Sequence, residues 1–163
     1  MIEKTHPIAQ KLVLTAVEDT LQLEQLLTGE ALLLTKKTHI QALDSITQQK
    51  MTLVKKLATF ARQVDQVLAS EKLSQEDGML QYFAIAQQAD IDTSISLTAW
   101  HKLTEHSKNC RSLNEKNGAC IHILNQHSAR ILNILKGKPQ LVNTYGRNGR
   151  TSSNRYSQTL VSV

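Results

Sequence analysis

The ten residues SLNEKNGACI, Ser112 to Ile121, decide the fold, because they can be read in two ways. Asn117-Gly118 is the strongest short signal for a tight hairpin turn. The residues on either side instead carry a helical pattern. Leu103, Cys110, Asn117, Leu124 and Ile131 recur at every seventh position, alongside Trp100, Ser107, Asn114, Ile121, Ser128 and Leu135. Leu113, Cys120 and Ile134 widen that stripe. A hairpin would reset the phase, and the phase is unbroken, so the pattern predicts one helix from about Ser94 to Lys136. Asn114, Asn117, Gly118 and Ile121 then share one helical face. A glycine inside a helix costs about 1 kcal/mol relative to alanine. Its gain is a notch that a neighbouring helix can approach closely, with asparagines beside it to fix register. The stretch reads as a docking or packing notch, not a turn.

The rest of the chain agrees with a helical fold. At 163 residues, with two Phe, one Trp and three Tyr, it is one domain with few large rings to bury. The only prolines are Pro7 and Pro139, so nothing between them forces a break. Pro7 suits a first helical turn, followed by Leu14, Val17 and Leu21 with Leu12, Leu23, Leu26 and Leu27. TKKT at 35–38 holds no apolar residue and predicts a break or kink, with Thr38 as a usable N-cap. The cleanest heptad comes next: Leu43, Lys50, Leu57 and Val64 alternate with Ile46, Leu53, Phe60 and Val67. That is a coiled-coil seam, in which Lys50 is expected to pack its stem and keep its ammonium in water. Ser74 with Asp77 resembles a capping box ahead of a short helix through Met79, Leu80, Phe83 and Ala86. DIDTS at 90–94 supplies another stop and start. Gly137 and Pro139 end the long helix in the usual order.

Charge is unevenly placed. Residues 1–115 hold 12 basic and 14 acidic side chains, whereas residues 116–163 hold seven basic side chains and no acid. The excess belongs to the C-terminal part, which beyond Pro139 is too polar to fold alone. The expected architecture is therefore all-α: an elongated antiparallel helical hairpin or coiled-coil-like bundle of three to four helices. It comprises a helical domain over 1–138 and a flexible basic tail over 139–163. Without a secretory segment or paired-cysteine motif, a reduced, cytoplasmic setting is the simplest expectation. The longest apolar runs are too short to span a bilayer.

Catalytic and metal chemistry find little support. His106 and Cys110 are one turn apart, and Cys120 and His127 share another face. Along one helix, however, the two cysteines stand about 15 Å apart at about 1.5 Å per residue. Buried thiols and surface histidines account for them better than a zinc site, which needs ligands about 2.3 Å from one ion. YGRNGRTS at 145–152 lacks the glycine spacing, the lysine and the preceding strand of a phosphate loop. The tail carries only two tyrosines for stacking and no nucleic-acid-binding motif. No nucleophile, base and orienting group can be assembled. No cofactor or metal is expected.

Three segments in order resemble FlgN, the flagellar type III export chaperone family for hook-filament junction proteins. They are QQKMTLVKKL at 48–57, CRSLNEKNGACI at 110–121 and LVNTYGRNGRTSS at 141–153. LLTGEALLL at 26–34 fits more loosely. The Leu-Asn-x-x-Asn-Gly and Tyr-Gly-x-x-Gly-x-Thr-Ser pair is the specific part. The resemblance implies a cytoplasmic, non-enzymatic helical chaperone. Its clients would be the terminal amphipathic helices of hook-associated proteins, delivered to the cytoplasmic domain of the export gate. It places client binding at Leu113, Asn114, Asn117, Gly118, Ile121, Leu124, Ile131, Ile134 and Leu135, and gate docking at Tyr145 and Gly146. It implies no nucleic acid and no direct membrane insertion. The alternative is a structural or adaptor coiled coil without a client, separated by whether the apolar stripe at 113–135 is covered by the protein's own helices. A more distant reading is a small nucleic-acid-associated helical protein.

Overall fold

The computed structural model describes residues 2–35, 40–74, 78–136, 143–145 and 151–153. Four helices follow one another: α1 (Ile2–Thr35), α2 (Ile40–Ser70), α3 (Gly78–Gln88) and α4 (Ser94–Leu135). The expected all-α bundle is found, and α4 runs unbroken through the Asn-Gly stretch. One element lies outside that expectation. β1 (Asn143–Tyr145) pairs antiparallel with β2 (Thr151–Ser153), Tyr145 standing opposite Thr151. Threonine and tyrosine favour extended backbone, but so short a ribbon is marginal by itself. The chain divides into two compact units, Met1–Gly118 and Ala119–Val163.

The first unit is built on α1. Its buried positions form two interleaved heptads: His6, Val13, Thr20 and Leu27, with Ile2, Ala9, Ala16 and Glu30. This corrects the sequence expectation, since Leu14 and Leu21 are exposed. Ala9, Val13, Ala16 and Thr20 fill the middle of the seam and Leu27 continues it, while the other leucines of α1 are half-buried or exposed. Pro7 lies inside α1 rather than in its first turn. It removes one backbone donor, that for the carbonyl of the exposed Glu3.

Contacts with α1 fix the directions of its neighbours. Lys50 pairs with Glu30, Lys56 with Asp19, and the Thr5 hydroxyl donates to Glu71 at 2.7 Å, so α2 runs antiparallel to α1. Against α4 the partners keep a constant offset. His6 meets Ser96 at 3.3 Å, the Cys110 thiol donates to the Thr20 carbonyl at 3.5 Å, and Asn117 Nδ2 donates to the Leu27 carbonyl at 2.9 Å. α4 is therefore parallel to α1, and α2 antiparallel to α4, as the two heptad seams predict. Leu57 and Phe60 of α2 share a cleft with Trp100 and Leu103 of α4.

α3 closes one end of this unit, where most of the hydrophobic core collects. Met79, Tyr82, Phe83 and Ala86 are buried against Ala9, Val13, Ala16, Val67, Leu68, Ala99 and Leu103. Tyr82 and Trp100 both stand edge-on to Phe83, with centroids 5.7 and 6.5 Å away. Each such pair adds about 0.5–1.5 kcal/mol to the burial of its rings. Phe60 also packs on this core, so the four aromatic side chains of the first unit are concentrated at one place.

Two non-glycine residues make the bends around α3. Lys72 and Asp90 adopt φ of 59° and 58°. Behind each, the next amide reaches back: Leu73 N to Leu68 O at 2.9 Å, and Ile91 N to Ala86 O at 3.1 Å. These are Schellman closures, and Leu73 and Ile91 pack on the core as that motif favours. The DIDTS stop and start is confirmed in detail. Asp92 Oδ1 accepts from Ser94 N at 2.9 Å, and the Thr93 carbonyl opens α4 by accepting from Leu97 N at 2.8 Å. The two hydrogen bonds from Ser94 hold the Asp92 carboxyl below its ordinary value. The break expected at 35–38 falls largely on residues outside the described set, as do Asp77 of the expected capping box and the Gly137–Pro139 stop.

Candidate protein-binding surface

The first unit ends in a buried polar cluster that the sequence did not reveal. Glu30, 4% exposed, accepts from Lys50 Nζ at 2.9 and 2.8 Å and from Asn117 Nδ2 at 2.8 Å. One carboxylate therefore ties α1 to α2 and to α4. The Lys50 ammonium is not free in water, as the seam suggested, but spent on this carboxylate. Removing one partner of such a group leaves the others desolvated and unpaired, which is why the cluster specifies register. The acid hidden among leucines in LLTGEALLL is the signal that could have found it. A second polar tie lies alongside: Glu24 binds His106 Nδ1 at 2.6 Å and Asn109 Nδ2 at 3.0 Å.

Asn117 is consequently part of the fold, and the shared notch is corrected. Its amide serves α1, Leu113 is half-buried, and Asn114 and Gly118 face outward. A Cβ placed on Gly118 would meet nothing within 4 Å. No helix of this unit uses the glycine for close approach. The neighbouring Cys110 is buried, and burial, helped by the Glu24 charge, pushes its thiol up to about 11. It behaves as a small apolar residue. Burial likewise raises the Tyr82 phenol, against the lowering effect of its bond to Thr5 and with a further rise from Glu71. Among the described residues no group of three His, Cys, Asp or Glu side chains could hold a metal ion.

The second unit presents the opposite surface. Every residue from Ile121 to Lys136 is exposed. Of the expected binding residues, Ile121, Leu124, Ile131, Ile134 and Leu135 are all exposed, from 38% for Ile121 to 77% for Leu135. Ile123 and Leu132 join them. Both stand one position beside residues of the stripe, and an amphipathic face half a helix wide would have included them. The only side-chain bond recorded in this stretch joins Gln126 to His122, one turn apart, at 2.9 Å. Tyr145 closes β1, while Gly146 lies outside the described residues.

The family model of the FlgN protein matches residues 14–153. The chain belongs to the FlgN family. No curated protein and no solved structure matches it. FlgN proteins are flagellar export chaperones that bind flagellar proteins, and the family is not an enzymatic one. The FlgN match begins within α1 and takes in the whole of α2, α3 and α4, the exposed part of α4 included, and both strands of the ribbon. Among the described residues of this FlgN protein, no helix is long and apolar enough to cross a membrane.

Proposed function

We propose that this chain is a cytoplasmic export chaperone for hook-filament junction proteins. It holds their terminal amphipathic helices on the exposed apolar face of α4 and keeps them unassembled. It then delivers them to the cytoplasmic domain of the export gate through the tail, with Tyr145 and Gly146 as the docking residues. The observation that carries this reading is the bare run from Ile121 to Leu135, on a chain of the FlgN family. A face this apolar is stable in water only at some cost, and a client helix laid into it removes that cost. A structural coiled coil without a client would be expected to cover the stripe, which makes it the weaker reading. Leu113, Asn114 and Gly118 remain candidates at the edge of the client site, whereas Asn117 acts through the fold.

The test separates holding from delivery. Ile131→Ala with Leu135→Ala should weaken binding of a hook-associated protein's terminal helix at least about tenfold, since anchors of this kind cost about 1–2 kcal/mol or more each. Deleting 139–163 should leave that affinity nearly unchanged and impair delivery to the gate. Full affinity in the double variant, or its complete loss on tail deletion, would refute the assignment.

A further inference from the structure

The exposed part of α4 carries a second pattern, one of charge. At about 100° per residue, its large apolar side chains fill an arc of about 180°, from Ile123 round through Leu124 to Leu132. Arg130 lies about 20° outside the Ile123 edge, and Lys136 about 40° outside the Leu132 edge. Both are exposed. The unit they belong to, Ala119–Val163, holds six Lys and Arg residues and no acid. The first unit, Met1–Gly118, balances 13 basic side chains against 14 acidic ones. The change from neutral to purely basic thus falls where the covered part of the protein gives way to the bare one.

We propose that the segment held here is an amphipathic helix whose apolar side is flanked by carboxylates, met by Arg130 and Lys136 at the two edges. The inference rests on the helix-in-groove reading above and adds the chemistry of the partner. A cation at each rim of an apolar stripe can lay its stem along the contact and keep its head at the boundary with water. There it selects against like charge and steers an acidic partner in. An anionic membrane surface would satisfy the same charges. Residues 119–136 contain no Trp, Tyr or Phe to anchor at such an interface, and His127 and Ser128 interrupt the apolar arc. A helix partner is the better fit.

Three synthetic helices of about 20 residues, identical on the apolar side, would carry Glu, Gln or Lys along both flanks. Their affinities for the full chain are measured by fluorescence anisotropy at about 0.05 and 0.5 M salt. The expected order is Glu, Gln, Lys, with at least about a fivefold preference for Glu over Lys at low salt. That preference should fall below about twofold at high salt and in the Arg130→Gln, Lys136→Gln variant. Equal affinities for all three peptides would overturn the charge proposal and leave apolar docking standing. Binding of none of them would overturn both. Retention on vesicles about one-third phosphatidylglycerol, with no competition from the Glu-flanked peptide, would overturn it in favour of a lipid surface.

Discussion

Two stretches of α4 share one heptad register and differ in everything built on it. In the first, Ser96, Leu103, Cys110 and Asn117 fall at every seventh position and all are buried. In the second, Leu124 and Ile131 continue the same series and both are exposed. The first stretch has α1 beside it at a constant offset of 90 residues, seen in three successive polar ties. The last of these ties is made by Asn117, and the first compact unit ends one residue later, at Gly118. Periodicity states which side of a helix is apolar. It does not state whether the covering partner belongs to the same chain. The side chains in the track make the same distinction. Where α1 covers them, three of the four are small or polar and specific, a serine, a cysteine and an asparagine that serves Glu30, with Leu103 as the one large apolar residue. Where they are bare they are Leu and Ile, which accept many partners.

The sharpest way to break this comparison is to truncate one residue of the track in each stretch. Leu103→Ala should cost about 2–5 kcal/mol of stability, the usual range for a buried leucine. Ile131→Ala should change stability by less than about 0.5 kcal/mol. Chemical denaturation of the two variants reads both, and similar losses would erase the distinction. The next effect is smaller. Asn117→Ala should destabilise by about 1–3 kcal/mol, because it takes one donor from the buried Glu30 carboxylate and a second donor from the Leu27 carbonyl, which keeps its bond within α1. Asn114→Ala, one turn earlier and exposed, is the control and should stay within about 0.5 kcal/mol.

The two thiols sharpen the comparison through pH. Cys110, buried and raised to about 11, should react with a thiol reagent far more slowly near pH 8 than the half-buried Cys120. Its proton is held more tightly in the folded state than in the unfolded one. Stability from this group is therefore complete below its ordinary value of 9.0 and is lost as pH rises toward about 11. Labelling of both thiols at one rate would contradict the burial of Cys110. The smallest effect is expected at Gly118. With open space for a Cβ, Gly118→Ala should stabilise the free protein by up to about 1 kcal/mol. A loss of stability in thermal denaturation would restore the close-packed notch.

Helix content, the unbroken course of α4 and the α2 seam were legible because each is a statement about period. Leu43, Ile46, Lys50, Leu57, Phe60 and Val64 are all half-buried, and Leu53 and Val67 are buried, as their spacing requires. The α1 seam was not legible. Apart from Leu27, its leucines mark the flanks, while alanines, a threonine and a histidine sit at the interface, and residue size alone points the wrong way. The second track of α4 was misassigned for a related reason. Ala99, His106 and Leu113 are buried or half-buried, whereas of the expected track only Trp100 packs on the core and Ser107 and Asn114 are exposed. One helix pattern cannot decide between adjacent tracks without knowing where α1 lies. The Glu30 cluster was hidden because its three members come from three segments, and each alone has an ordinary explanation. In the candidate site, the apolar run 121–135 was readable from composition. The burial of Asn117 was not, since it depends on a carbonyl 90 residues away.

Hydrogen exchange along α4, with and without a peptide from the terminal helix of a hook-associated protein, tests the central claim most directly. In the free protein, amides from about Ser96 to Asn117 should be protected, and those from about Ile121 to Leu135 should exchange much faster. Adding the peptide should slow exchange in the second stretch and leave the first unchanged. Equal protection of the two stretches in the free protein, with no change on adding the peptide, would contradict the account.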